Sequence, residues 1–233
     1  ERKLMKLTDK TDIFFDLDHT LWDFEKNSAL TFEFILEKHS IDVDFDHFIK
    51  TYVPINTAYW KRFRDGEIDQ AQLRYGRFRE AFDVVGTFVD DNKITLLSED
   101  YITQLPLNNH LYDGAPEILD YLKAKYNLHI ITNGFNQVQA GKLKNSGIAG
   151  YFTTVTDSEI AGCKKPHAGI YEFAMAASGA EKAKAVMIGD CIEADVQGAL
   201  DFGLDAIYFN EFGQDTPSKV KQVKHLLELK NYL

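Results

Sequence analysis

Ile13-Phe14-Phe15 runs directly into Asp16-Leu17-Asp18-His19-Thr20, so a buried strand must end here on two acids. Burying one carboxylate is costly, and two side by side repel each other. Side chains alternate faces along a strand, so Asp16 and Asp18 are expected to converge at the strand's C-terminal end. That edge is where ligands bind in open α/β sheets. A divalent cation relieves the repulsion, and magnesium favours carboxylate and phosphate oxygens. The competing reading is an Asp-rich turn in which Asp18 caps a helix.

Strands alternate with helices through much of the chain. Strands are expected over about Thr11 to Asp16, Leu128 to Thr132, Tyr151 to Thr156 and Asp205 to Asn210, with another at Ala185 to Gly189. Helices are expected over Ala115 to Lys125, Asn136 to Ser146 (closed by Gly147), Ala168 to Ala177, and Glu193 to Phe202 (closed by Gly203). A closing helix is expected over Lys219 to Leu229, from Val220, Val223, Leu226 and Leu227. This alternation implies an α/β fold, a Rossmann-like parallel sheet with helices on both faces.

The segment from about Asp23 to Pro106 is nearly free of β-rich runs and too long for a loop. Its amphipathic texture (Phe32, Phe34, Ile35, Leu36; Phe48, Tyr52, Tyr59, Trp60; Phe78, Phe82, Val85) predicts an inserted helical domain over 23–106, with a core domain from 1–22 and 107–233. The aromatic stripe is read as the core of that insert in preference to a substrate box.

Three later stretches repeat the pattern of reactive groups at strand ends. Leu128-His129-Ile130-Ile131 leads into Thr132-Asn133-Gly134; Gly162-Cys163-Lys164-Lys165-Pro166 is a basic loop; Ala185-Val186-Met187-Ile188-Gly189 leads into Asp190, with Asp195 following. In this order, DxDxT, hydrophobic-T-N, K-P and GDxxxxD, the chain resembles the haloacid dehalogenase (HAD) superfamily. Ile130 to Phe135 and Gly189 to Asp195 resemble its pyrimidine 5'-nucleotidase branch. The resemblance implies an HAD core with an inserted helical cap, and a magnesium-dependent phosphomonoesterase working through an aspartyl phosphate.

Phosphoryl transfer needs a nucleophile, charge neutralisation and a proton for the leaving group. Asp16 is the expected nucleophile and Asp18 the general acid–base. The resemblance assigns the same roles, and has Asp18 bind the metal through its backbone carbonyl. Asp16, Asp18 and Asp190 are the expected metal positions. Asp195 could ligate, stand behind the ligands or cap a helix, and the second of these is preferred. Thr132 and Asn133 are expected to donate to the substrate phosphate, although Asn-Gly is also a common turn pair. The residues alone do not separate Lys165 from Lys164 as the phosphate clamp; the family pattern, with its lysine directly before proline, selects Lys165. Alternation turns His19 away from the acids. Trp22, Phe24 and Phe135 could stack on a base or simply pack.

A net charge of −10, from 36 acidic and 26 basic residues, argues against a nucleic-acid polymer but not against a small phosphorylated substrate, such as a nucleotide. No apolar run reaches the roughly 18 residues that span a bilayer, and the N-terminal stretch lacks a signal peptide's apolar core. Cys163 and Cys191 form no CxxC pair, and a reducing cytoplasm is expected. Competing functions are a phosphatase or phosphomutase for sugar phosphates, a 2-haloacid dehalogenase and a non-catalytic phosphate binder. The dehalogenase reading is disfavoured by Asp18, and the non-catalytic one by the presence of every reactive side chain.

Overall fold

The computed structural model describes residues 6–216 and 220–233. The chain divides into two compact units, residues 1–24 with 109–233, and residues 25–108.

The first unit is built on six parallel strands: β1 (Asp12–Phe15), β2 (Asn127–Thr132), β3 (Phe152–Asp157), β4 (Ala185–Gly189), β5 (Asp205–Phe209) and β6 (Lys221–Val223). Their order is β3-β2-β1-β4-β5-β6. β1 lies between β2 and β4, with Phe15 opposite Ile130 on one side and Ile188 on the other. All four β1 residues and all five of β4 are buried. This is why these strands read as unbroken apolar runs, as strands covered on both faces do. Phe14, Ile131, Ile170, Tyr171, Met187 and Val196 share one continuous core.

The second unit holds α1 (Phe24–Lys38, beginning on the last residue of the first unit), α2 (Phe45–Arg64), α3 (Gln70–Val85) and α4 (Asp91–Gln104). Asp44, Asp69 and Asp90 each cap a helix by accepting from a backbone N–H in its first turn, and Asp69 forms a reciprocal capping box with Gln72. Phe32, Phe48, Tyr52, Phe78, Phe82 and Tyr101 form the core of the unit, with the Phe32 and Tyr52 ring centroids 4.5 Å apart. Most of the aromatic stripe is thus packing, while Phe34 is exposed and Tyr59 and Trp60 are half-buried. Arg77 is buried among these rings, and its Nη1 donates to Asn56 Oδ1 at 2.7 Å.

The first unit also carries α5 (Ala115–Lys123), α6 (Asn136–Asn145), α7 (Ser158–Ala161), α8 (Ala168–Ser178) and α9 (Gly198–Phe202). Two expectations change here. Instead of one helix over Glu193 to Phe202, a π-helical turn over Ile192–Gln197 precedes α9. The closing helix is replaced by β6 and a 3₁₀ helix at Leu226–Asn231; the expected start, Lys219, lies outside the described residues. Ile207, Tyr208 and Phe209 of β5 pair with Lys221, Gln222 and Val223. An open sheet edge offers backbone partners that outweigh a weak helical pattern. Among the described residues, no helix is long and apolar enough to cross a membrane.

Candidate active site

β1, β2 and β4 end together, and each hands a polar side chain to the same edge of the sheet: Asp16, Thr132 and Asp190. The backbone N–H of Asp16 still donates to the Ile188 carbonyl at 2.9 Å, so the ladder fixes Asp16 at this edge. Carboxylate oxygens of Asp16, Asp190 and Asp195 lie within 4.8 Å of one another. Asp195 reaches them from the π-helical turn. Gly189 makes room for it, since a Cβ there would stand 2.2 Å from Asp195 Oδ2. Wide π-helical turns of this kind often occur at functional sites.

One ammonium balances this cluster. Lys165 Nζ donates to Asp16 Oδ1 at 2.6 Å, to Asp195 Oδ1 at 2.7 Å and to the Ile131 carbonyl at 2.7 Å, and the residue is 2% exposed. Burial works against its charge, but Asp16 and then Asp195 outweigh that and hold its pKa above the usual lysine value. Burial pushes the Asp16 carboxyl well above the ordinary carboxylate range; Lys165 pulls it down, while Asp195 and Asp190 push it up. Asp190 is pushed up to about 8, by burial first and by Asp195 next. The buried Asp16 and Asp195 thus share one cation, with the half-buried Asp190 beside them, a donor set of oxygens short of positive charge. Such a set fits a hard divalent ion. The other oxygen of Asp195, Oδ2, accepts from the Cys191 N–H at 2.9 Å, so both its oxygens already have partners.

Asp18 faces other partners. Strand geometry ends at Phe15, so alternation does not govern the residues after it. Asp18 Oδ1 takes Lys142 Nζ at 2.6 Å and Oδ2 takes Gln139 Nε2 at 3.0 Å. Its carboxylate is outside the three-acid cluster. His19 has a left-handed backbone with φ 61, and its ring packs 4.9 Å from that of Phe24. Local turn geometry sets its direction. Thr20 is buried, and its hydroxyl donates to Asp190 Oδ1 at 3.4 Å.

The Thr132 hydroxyl accepts from the Gly134 N–H at 3.1 Å and from Gln139 Nε2 at 2.7 Å. With both lone pairs engaged, its proton is left to donate. Asn133 holds the basic loop from two sides: Oδ1 accepts from the Lys165 N–H at 2.7 Å and Nδ2 donates to the Lys165 carbonyl at 3.0 Å. That bracket selects Lys165 over Lys164 for the interior. Trp22, Phe24 and Phe135 are buried, so they pack. Cys163 and Cys191 are half-buried and not joined in a disulfide.

Sequence reasoning missed Gln139 and Lys142. Both are buried on α6, three residues apart and therefore on one face. The signal was there in outline. Between Asn136 and Asn145 the only large apolar residues are Val138 and Leu143, so the buried face of α6 had to include polar side chains.

A family of haloacid dehalogenase-like hydrolases matches residues 13–203. Pyrimidine 5'-nucleotidase PynA of Streptococcus pneumoniae is 34% identical over 200 residues, covering 85% of this chain and 83% of that protein. Pyrimidine 5'-nucleotidase YjjG of Escherichia coli is 29% identical, covering 89% of each. A solved structure of YfnB from Bacillus subtilis, described as a HAD-hydrolase and bound to magnesium, superposes with a TM-score of 0.83 at 26% identity, covering 94% of this chain and 96% of that one. With the family match running from β1 through β4 and so taking in Asp16, Thr132, Lys165, Asp190 and Asp195, the chain belongs to the haloacid dehalogenase-like hydrolases.

Proposed function

We propose that this HAD-family phosphatase is a magnesium-dependent pyrimidine 5'-nucleotidase that works through an aspartyl phosphate. The observation that carries the chemistry is Asp16, buried at the end of β1, held by Lys165 and flanked by Asp190 and Asp195. A carboxylate oxygen of Asp16 attacks phosphorus and the bond to the nucleoside oxygen breaks. Asp18 supplies the proton that this oxygen needs to leave. Water then attacks the acyl phosphate and gives its proton to Asp18, restoring both acids and releasing phosphate. Lys165, its three hydrogens already given to Asp16, Asp195 and the Ile131 carbonyl, would supply positive charge, and the Thr132 hydroxyl a hydrogen bond, to the phosphoryl oxygens, where charge is spread in the transition state. Asn133 acts by fixing Lys165, and its second amide N–H is left for phosphate.

Asp16 and Asp190, with the Asp18 carbonyl, would hold magnesium, and Asp195 would orient the set through Lys165. Bound there, the ion neutralises the acids and the phosphate so that nucleophile and substrate can approach. The nucleotide assignment is supported by PynA and YjjG, two pyrimidine 5'-nucleotidases that match most of the chain. The contacts at the sheet edge address phosphate only, so we assign the choice of leaving group to the helical unit of residues 25–108.

The test is phosphate release from a panel of nucleoside monophosphates and sugar phosphates with magnesium present. Pyrimidine 5'-monophosphates should lead. Sugar phosphates clearly ahead of every nucleotide would overturn the nucleotidase assignment and leave the phosphatase chemistry standing.

A further inference from the structure

We infer that Gln139 and Lys142 are positioning residues of the acid–base, joining Asp18 to the phosphate donor Thr132 through one face of α6. This rests on Asp18 being the acid–base. Both Asp18 oxygens are taken by this helix, Oδ1 by Lys142 Nζ at 2.6 Å and Oδ2 by Gln139 Nε2 at 3.0 Å. The same Gln139 nitrogen donates to Thr132 Oγ1 at 2.7 Å. An amide nitrogen has two hydrogens, so one goes to the acid and one to the threonine. The reverse orientation of the amide would set its oxygen against a carboxylate, so the contact with Asp18 fixes which way Gln139 points. Its own oxygen is buried without a partner, a cost carried in exchange for both donors.

Lys142 is held from the other side. Its ammonium lies 4.5 Å from the Trp22 ring centroid and 5.3 Å from that of Phe24. These cation–π contacts, and 2% exposure, leave it little freedom to follow a moving carboxylate. The loop that carries Asp18 is short and folds back on itself: the Trp22 N–H donates to the Leu17 carbonyl at 2.9 Å and the His19 N–H to the Trp22 carbonyl at 3.0 Å. Asp18 is therefore fixed at its backbone by this turn and at its head by α6. General acid–base catalysis depends on such placement, and an error of about 1 Å can cost on the order of 10²-fold in rate.

The experiment is a double-mutant cycle in the full chain, with Lys142→Met, Asp18→Asn and the combination. Activity is followed with a nucleoside 5'-monophosphate and with p-nitrophenyl phosphate, whose leaving group needs little protonation. Lys142→Met should lower kcat on the nucleotide by roughly 10–10²-fold with KM within about threefold, and should slow p-nitrophenolate release in the phosphorylation step much less. Lys142→Arg should recover part of kcat. In the Asp18→Asn background, Lys142→Met should cost less than about twofold, because its target is already gone. Equal losses on both substrates, a loss confined to KM, or full additivity with Asp18→Asn would overturn the inference. If Asp18→Asn itself treats the two leaving groups alike, it is the acid–base reading that fails. Should Lys142→Met not fold, Lys142→Gln, which removes the ammonium from Asp18 and leaves the contact of Gln139 with Thr132 in place, carries the same cycle with the same expectations.

Discussion

Replacing Lys165 with methionine keeps the length of the side chain and deletes the one ammonium shared by Asp16 and Asp195. Three contacts are lost, two to carboxylates and one to the Ile131 carbonyl. Hydrogen bonds to charged groups contribute roughly 1.5–3 kcal/mol each, so the gross loss is about 4–9 kcal/mol. Against this stand the several kcal/mol no longer spent on keeping a buried ammonium out of water. The net should be about 3–5 kcal/mol, the usual cost of removing one partner from a buried pair. Domains are commonly stable by only about 5–15 kcal/mol, so this is a large fraction. The loss should also depend on pH. Lys165 lowers the pKa of Asp16, so without it that carboxyl rises further above its unfolded value. A group whose folded pKa is raised loses its contribution as pH rises through that value. The variant should therefore be nearest to wild type toward the ordinary carboxyl value of 3.8 and fall further behind as pH rises, where the acids must ionise without a cation. Urea unfolding in the presence of chelator, followed by far-UV circular dichroism at several pH values, measures this. A loss below about 1 kcal/mol at high pH, or one that grows toward low pH, would refute the electrostatic account.

Asp16→Asn should fold normally and release no phosphate, whereas substantial turnover in the folded variant would remove the covalent route. Gly189→Ala would set a Cβ 2.2 Å from Asp195 Oδ2; it should displace that acid and sharply lower activity, which a phosphatase assay and a crystal structure of the variant would check. Activity should vanish in excess chelator and return with magnesium, while calcium substitutes poorly because its coordination shell is larger and looser. Burial lowers the pKa of His129 from 6.5, so the unfolded chain takes up this proton first. The contribution of His129 is thus full above about pH 6.5 and is lost as pH falls toward the lowered folded value; His129→Gln should flatten thermal stability across that window.

The strands that flank the site were legible because their burial on both faces leaves an unbroken apolar run, as in Ala185-Val186-Met187-Ile188. The acids stood out because a carboxylate at the end of such a run needs a reason. What the sequence hid was the division of labour among them. Alternation set Asp18 beside Asp16, yet β1 ends at Phe15 and a turn closes from Leu17 to Trp22, so the two carboxylates meet different lysines. Lys142 and Gln139 went unseen because a polar residue on a short helix looks like solvated surface until its partner from another element is known. The C-terminal segment misled for the same reason: Val220 and Val223 fit a helix locally, and only the open edge of β5 turns the stretch into a strand.

The order of the strands has a consequence for how the chain is made. β1 leaves the ribosome before the other five strands of this sheet, yet its neighbours begin only at Asn127 and Ala185. Between them come the helices of residues 25–108, whose core pairs Phe32–Phe78 and Phe48–Phe82 are 46 and 34 residues apart, against 115 between Asp12 and its partner Asn127. Local contacts form fast and distant pairings form slowly. A fragment ending at residue 126 should thus carry folded helices and an unpaired β1, with Asp16 and Asp18 still in water. The acids become buried only when β4 arrives, and Lys165, which precedes β4 in the chain, is by then already synthesised. Synthesis supplies the cation before it closes the site around the anions.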